Sequence, residues 1–146
     1  MSPVVVDASI ALAWCFPDET SAYAETVLVG LGGETMLVPC IWELEVANAI
    51  LVGLRRKRLE MPGVEQFLSL IEQLAPMQDA RPVVEHMRDV LPLAAEHGLT
   101  AYDAAYLELA LRRHALLATL DDKLLAAARA AGVVIYRGPD TPRGVS

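Results

Sequence analysis

The chain contains few cysteines and histidines, which narrows the chemistry available to it. Two cysteines and three histidines occur in 146 residues. Cys15 and Cys40 both stand among apolar neighbours, so we expect free, buried thiols in a reducing compartment, although the sequence leaves a bridge between them open. Neither these residues nor His86, His97 and His114 show the spacing of zinc ligands. The sequence therefore argues against a zinc site.

Long uncharged apolar stretches are also absent. No run reaches the roughly 18 residues of a membrane-spanning helix, and the first residues lack the basic region of a secretory signal. We therefore expect a cytoplasmic protein without a membrane span. Hydrophobic residues nevertheless make up 54% of the chain, with a mean hydropathy of +0.36. This surplus favours an apolar surface that self-association or a partner covers.

Basic residues are outnumbered: 12 lysines and arginines face 19 aspartates and glutamates, which gives a net charge of −7. Such a balance argues against general electrostatic binding of nucleic acid, which usually requires a basic surface. Part of the excess is concentrated in a candidate acidic site described below. The charge therefore weakens the case for a protein that acts on nucleic acid without excluding it.

The hydrophobic pattern alternates between short apolar runs and helical periods, which is typical of an α/β domain. We predict a single domain over residues 1–137 and a polar C-terminal tail over 138–146 that frays. The predicted strands cover residues 3–7, 35–38, 116–119 and 133–136, with a connection of uncertain form at 75–81. The predicted helices cover residues 10–15, 20–29, 41–58, 62–74, 83–97, 101–113 and 122–131.

The pattern also predicts details within these helices. One apolar stripe at helical spacing in the helix over 41–58 consists of Leu44, Ala47, Leu51 and Leu54. Pro92 should kink or split the helix over 83–97, and Gly98 should cap its end. Tyr102 and Tyr106 are one helical turn apart, and we expect them to pack rather than to stack on a base.

Four carboxylates occur where such a fold would bring them together. Asp7 ends the first apolar run and Asp121 follows the run that begins at Leu116. Ligands of open parallel sheets bind beyond the carboxyl ends of the strands, and Glu45 and Asp103 lie in helical patterns that can border the same crevice. Clustered acids repel one another unless a cation joins them, and oxygen ligands suit Mg²⁺ or Mn²⁺.

Each acid also has a structural interpretation. Asp7 and Asp121 could cap the helices that follow them, and Asp103 stands at capping-box spacing from Thr100. Glu45 could belong to a solvated helix face, although Glu43 points in a different direction around the same helix. Capping does not require acids, however, and it does not explain why they converge.

Other polar residues accompany the four acids. Ser9 and Thr119 each stand two residues from a carboxylate and could fix its rotamer, and Asn48 lies one helical turn after Glu45. Arg55 and Arg56 near one helix end, and Arg112 near another, are candidate contacts to a phosphate backbone. The alternative for these arginines is interaction with the helix dipole.

Three segments carry a family resemblance: VVVDAS, VPCIWELEVANAI and LTAYDAAYLELALRRHALLATLDDKL. In this order and spacing they resemble PIN-domain ribonucleases, and in particular the VapC-type toxins of bacterial toxin–antitoxin pairs. The resemblance implies a three-layer α/β/α domain around a central, mostly parallel sheet of four to five strands. It also implies that the acids are Asp7, Glu45, Asp103 and Asp121, supported by Ser9, Asn48 and Thr119. Asp122 could instead cap the last helix or act as an additional acid.

The same resemblance implies a function. We expect a metal-dependent endoribonuclease toxin in which Mg²⁺ or Mn²⁺ at the acids assists hydrolysis of RNA phosphodiester bonds. The implied partners are a second copy of the chain and a VapB-like antitoxin that places a basic side chain at the acids. The antitoxin, rather than this chain, would contain the DNA-binding module.

Three alternatives stay open from the sequence. The domain could be a protein-binding module with a degenerate metal site, or a PIN nuclease that processes RNA outside a toxin pair. A phosphotransfer enzyme with Asp7 as nucleophile is the third. It is disfavoured because Ser9 stands where such enzymes usually have a second acid.

Overall fold

A computed structural model describes residues 3–142, in which four short strands form one parallel sheet. The strands are β1 (Val4–Val6), β2 (Met36–Pro39), β3 (Met77–Asp79) and β4 (Leu116–Ala118). Their order is β3-β2-β1-β4, and every neighbouring pair is parallel. The predicted three-layer α/β/α arrangement around a mostly parallel sheet is confirmed.

Over residues 3–142, seven helices surround the sheet in two groups. Their bounds are α1 Ala8–Cys15, α2 Ala22–Leu31, α3 Trp42–Arg55, α4 Met61–Leu74, α5 Val83–His97, α6 Ala101–Arg112 and α7 Asp122–Ala130. One group centres on α1, which contacts α2, α3 and α4, and the other on α6, which contacts α5, α7 and three of the strands. Residues 104–110 of α6 are all buried, because this helix covers a face of the sheet.

The strand order creates a crevice where the chain changes direction across the sheet. From β1 the chain continues to β2 and β3 on one side, and only β4 lies on the other side of β1. The carboxyl ends of β1 and β4 therefore border the point at which connections diverge, where open α/β sheets bind their ligands. Asp7 directly follows β1, and Thr119 directly follows β4.

Two strand predictions need correction. Met77–Asp79 forms an edge strand beside β2, although its largely exposed, partly polar residues gave no strand signal. In contrast, residues 133–136 form only a bridge between Leu117 and Ile135 rather than a full strand. Two backbone hydrogen bonds hold that bridge, from Leu117 N to Val134 O at 3.1 Å and from Tyr136 N to Leu117 O at 2.8 Å.

The buried face of α3 also differs from the prediction. The sequence suggested a stripe of Leu44, Ala47, Leu51 and Leu54. Leu54 does pack, partly buried, against the core, but Leu44 is 64% exposed and Leu51 is 42% exposed. The buried residues are instead Trp42, Val46, Ile50 and Gly53, which have equally good helical spacing. Gly53 allows close contact with α1, because a Cβ there would lie 2.6 Å from a ring carbon of Phe16. The sequence pattern alone could not distinguish the two faces, because apolar residues occur on both.

Smaller differences concern α5, the tail and the thiols. Pro92 lies inside α5 without splitting it, and the helix ends as predicted at Gly98, whose φ is 64°. The described part of the tail does not fray, because Thr141 is buried and its hydroxyl accepts a hydrogen bond from Arg137 N. Residues 143–146 lie outside the described range. Both cysteines are free, but Cys40 is exposed rather than buried.

No helix within residues 3–142 combines the length and the apolar character that crossing a membrane requires.

Candidate active site

Asp7 is a buried carboxylate at the end of β1. Its side chain is 5% exposed, and it makes no capping hydrogen bond to α1 although it occupies the N-cap position. Its Oδ2 accepts hydrogen bonds from Ser9 Oγ at 2.7 Å and from Thr119 Oγ1 at 2.8 Å. The capping alternative for Asp7 therefore fails, and the two hydroxyl groups hold the carboxylate in one orientation.

Ser9 and Thr119 also connect the ends of β1 and β4. Leu120 N donates to Ser9 Oγ at 3.0 Å, and Asp121 N donates to Thr119 Oγ1 at the same distance. Each hydroxyl group thus receives an N–H from the loop after β4 and donates to Asp7. This arrangement fixes the loop against β1 and determines where Asp121 begins α7.

Glu45 reaches the site from the first turn of α3. Tyr106, fully buried on α6, donates its hydroxyl hydrogen to Glu45 Oε1 at 2.6 Å. Sequence reasoning assigned Tyr106 to packing alone and missed this contact. A signal was available, because Tyr106 stands three residues after Asp103 and so lies on the same side of the helix as that acid.

Asp103 and Asp121 complete the group, and both have capping interactions as well. Thr100 Oγ1 accepts from Asp103 N at 3.1 Å, which caps α6. Asp121 Oδ1 accepts from Leu124 N at 2.8 Å and caps α7. Capping by Asp121 uses one carboxylate oxygen, so the structural and functional interpretations of this residue are compatible.

The four acids, here called the acidic centre, influence one another's protonation. Burial raises the pKa of Asp7, the hydroxyl groups of Ser9 and Thr119 oppose this, and the charge of Asp121 raises it further. Burial also raises the pKa of Glu45, the Tyr106 hydroxyl lowers it, and the charges of Asp7 and Asp103 raise it. The pKa of Asp103 is raised by burial and then by the charges of Asp121 and Asp7. These mutual effects show that the acids share one neighbourhood.

No positive side chain neutralises the acidic centre directly. Within residues 3–142, none of its four members forms an ion pair. The charge of Lys123 lowers the pKa of Asp103, but as the weakest of the contributing effects. Partly buried acids that repel one another destabilise the fold, and a bound cation would remove that penalty.

The donor atoms suit a hard divalent cation that keeps part of its water shell. Over the described residues, no three Asp, Glu, His or Cys side chains form a group that could hold a metal ion as they stand. Magnesium, however, keeps several of its waters and often takes only one or two carboxylates directly. Oxygen-only donors held by hydroxyl groups fit that mode of binding, with Asp7 as the most firmly oriented member.

The other predicted residues lie at the edge of the acidic centre or away from it. Asn48 is exposed and makes no hydrogen bond to the acids in the described part of the chain. Arg55 and Arg56 are exposed near the far end of α3, about 15 Å along the helix axis from Glu45. Arg112 lies nine residues after Asp103 on α6, where Asp79 and Glu108 bind it.

Fold and site together define a parallel α/β domain with an acidic centre at the crossover between β1 and β4. A model of the PIN domain family matches residues 4–130, and the chain belongs to that family. Ribonuclease VapC3 from Pyrobaculum aerophilum is 31% identical to it over 121 residues, which are 83% of this chain and 91% of that protein.

Solved structures show the same fold. PAE2754 from Pyrobaculum aerophilum is similar with a TM-score of 0.67 and 24% identity, over 92% of this chain and 83% of that one. VapBC2 from Rickettsia felis, bound to a DNA fragment from its promoter, is similar with a TM-score of 0.61 and 12% identity. That likeness covers 91% of this chain and 96% of the matched chain.

Proposed function

We propose that this protein is a metal-dependent endoribonuclease of the VapC type, which hydrolyses phosphodiester bonds of RNA. The observation that supports this most is the acidic centre itself. It consists of oriented carboxylates at the crossover of the sheet that form no ion pair with a basic side chain of residues 3–142. Membership of the PIN family and the likeness to Ribonuclease VapC3 support the choice of RNA as substrate.

The proposed cofactor is Mg²⁺, with Mn²⁺ as an alternative. Asp7 and Asp103 would be direct ligands, and Glu45 and Asp121 would bind directly or through water. When bound, the cation would activate water and stabilise charge on the phosphate. Ser9 and Thr119 keep Asp7 in position, and Tyr106 keeps Glu45 in position, so little rearrangement of these two side chains is required on binding.

We further propose that a VapB-like antitoxin neutralises the enzyme and that the toxin forms a homodimer. An uncompensated acidic centre is a natural receptor for a basic side chain of a partner. Apolar side chains that no helix covers support a partner surface, among them Leu44, Met87, Leu91 and Tyr102. Such a partner would explain the hydrophobic surplus of the composition. The likeness to VapBC2 agrees with this proposal.

Matched substitutions on α3 test the proposed activity. Glu45→Gln should abolish cleavage of total RNA in Mn²⁺, because it removes a charge of the acidic centre. Glu43→Gln, an exposed neighbour on the same helix, should leave cleavage intact. EDTA should suppress cleavage by the wild-type protein, and sequencing of RNA ends would define the product.

Equal residual cleavage by wild-type protein and Glu45→Gln would contradict the proposal, because a contaminating nuclease would explain both. Absence of metal uptake together with tight antitoxin binding would instead favour the protein-binding module. Cleavage of RNA precursors without any neutralising partner would favour a nuclease of RNA processing.

A further inference from the structure

A groove adjoins the acidic centre along α7. It has a volume of about 400 Å³ and lies between α7 and the segment that forms the bridge with β4. Thr119 lines the groove and also donates a hydrogen bond to Asp7, so this residue connects the groove with the acidic centre. The groove therefore begins directly beside the acidic centre.

Two arginines line this groove from different elements. Asp122, Leu125 and Arg129 are spaced three and four residues apart on α7, so one face of the helix forms a wall. Asp122 marks the end beside the acidic centre, and Arg129 lies about 10 Å further along the helix axis. Arg137 enters from the segment after α7.

The register of the bridge places Arg137 near the carboxyl edge of the sheet. Ile135 pairs in parallel with Leu117. Arg137 follows Ile135 by two residues, and Thr119 follows Leu117 by two residues. Both therefore emerge at the same edge of the sheet, and the guanidinium of Arg137 can reach a phosphate close to the acidic centre.

Neither arginine is neutralised by an acid. Both are exposed, and over residues 3–142 neither forms an ion pair, whereas Arg58, Arg81, Arg112 and Arg113 all do. One acid, Asp122, also lines the groove, so two positive charges face one negative charge. A second cavity of about 450 Å³ shares Arg129 and Arg137 and extends the groove towards Thr141.

We infer that this groove is a binding subsite for the RNA backbone, in which Arg129 and Arg137 contact phosphates that flank the cleaved bond. The inference rests on the proposed function. An acidic centre in a chain of net charge −7 needs a local source of attraction for a polyanion. Guanidinium groups provide it through paired hydrogen bonds to phosphate oxygens. Arg112 is less suitable, because Asp79 and Glu108 already hold it.

The test compares Arg→Gln substitutions inside and outside the groove. The single variants Arg129→Gln and Arg137→Gln and their double combination remove charge from the groove. Arg88→Gln, on the exposed side of α5, removes the same charge elsewhere and serves as the control. The substrate is a hairpin RNA that contains a cleavage site mapped by sequencing the RNA ends of a total-RNA digest.

Each groove substitution should raise KM about tenfold while kcat changes little, because the acids are untouched. In an Asp7→Asn background, binding of the fluorescein-labelled hairpin should weaken similarly. The slope of the logarithm of the binding constant against the logarithm of the salt concentration should also become shallower, by about 0.7 for each lost phosphate contact. Arg88→Gln should match the parent protein in KM, affinity and slope.

Two results would overturn the inference, and they are distinguishable. If wild-type protein cleaves the hairpin but the double variant matches Arg88→Gln in KM and affinity, the groove is not a subsite while the nuclease stands. If wild-type protein shows no metal-dependent cleavage of total RNA, the proposed function fails and the subsite fails with it. Unchanged thermal unfolding of the double variant would confirm that any loss is not due to misfolding.

Discussion

Two groups of acids in this domain have opposite surroundings. The acidic centre contains four carboxylates and no ion pair, whereas Asp79 and Glu108 are surrounded by arginines. Glu108 is 4% exposed, and its Oε1 accepts from Arg81 at 2.7 Å and from Arg112 at 2.9 Å. Asp79 binds Arg112 and Arg113. We call this second group the arginine-bound cluster.

The difference distinguishes acids whose charge is balanced within the chain from the acids that we propose to act in catalysis. The arginine-bound cluster joins β3, α5 and α6, since Arg81 also contacts Glu85 and Asp89 on α5. Its charges are satisfied within the chain and need nothing from outside. The acidic centre is oriented only by neutral hydroxyl and amide groups, so its charge is left for a cation or for a partner's basic side chain.

The largest expected contrast is in catalysis, with Asp7→Asn and Asp79→Asn as the matched pair. Asp7→Asn should lower kcat/KM for RNA by about 10³-fold, which corresponds to about 4 kcal/mol of activation free energy. Asp79→Asn should leave kcat/KM nearly unchanged, because its partners lie away from the acidic centre. Steady-state kinetics on one RNA would measure both. Similar losses in the two variants would remove the distinction between the groups.

The second contrast is in the free energy of unfolding, which should fall for a substitution in the arginine-bound cluster and rise for one in the acidic centre. Glu108→Gln should lower the free energy of unfolding by about 2 kcal/mol, because Arg81, whose side chain is 8% exposed, and the partly exposed Arg112 both lose their buried acidic partner. Asp7→Asn in EDTA should raise it by about 1 kcal/mol, because a repelled, buried charge disappears while the amide oxygen still accepts from Ser9 and Thr119.

Urea unfolding of the metal-free proteins would measure both changes. A lower free energy of unfolding for Asp7→Asn than for wild type would show that groups of the chain already stabilise the charge of the Asp7 carboxylate.

Tyr106→Phe provides a smaller effect inside the acidic centre. Loss of the hydroxyl removes the hydrogen bond that orients Glu45, so affinity for Mn²⁺ should fall about tenfold. Titration calorimetry would measure it. Tyr102→Phe is the control, because Tyr102 lies on the same helix but is 60% exposed. Equal affinities for the two variants would assign Tyr106 to packing alone.

The smallest effect is the pH dependence of stability in EDTA. The pKa values of Asp7, Glu45 and Asp103 are raised in the folded state, so the folded protein binds protons more tightly than the unfolded chain. Their contribution is therefore most favourable at low pH and is lost as pH rises through the raised values.

Asp79 has the opposite dependence. Burial raises its pKa, but Arg112 and Arg113 lower it below the ordinary value, so its contribution to stability is lost as pH falls through the lowered value.

Because the pKa of Asp7 is raised, the Tm advantage of Asp7→Asn over wild type should shrink as the pH falls from about 7 to about 4. An advantage that grows with acidity would contradict the raised pKa of Asp7.

The sequence predicted the positions of the four acids better than it predicted the surfaces around them. Asp7 and Asp121 could be identified from the sequence because each follows an apolar run. Runs of that kind become parallel strands whose carboxyl ends converge. The contact between Tyr106 and Glu45 joins residues 61 positions apart and depends on how α3 and α6 pack. The spacing from Asp103 indicated the side of α6 on which Tyr106 lies, but no local pattern identified Glu45 as its partner.

The missed strand and the wrong face of α3 have related causes. β3 is a short edge strand with exposed side chains, so it needs no hydrophobic alternation to pair with β2. Along α3, Leu44 and Leu51 are as apolar as Val46 and Ile50, so the buried face is selected by tertiary packing, which includes the close contact of Phe16 with Gly53. Apolar residues on an exposed face are expected where a partner binds.

The central claim is that the acidic centre takes a divalent cation. Mn²⁺ titration of the metal-free protein, followed by calorimetry and by thermal unfolding, tests this most directly. Wild-type protein should bind Mn²⁺ and show a higher Tm, Asp7→Asn should do neither, and Asp79→Asn should behave as wild type. Absence of binding by the wild-type protein, or equal binding by wild type and Asp7→Asn, would contradict the account.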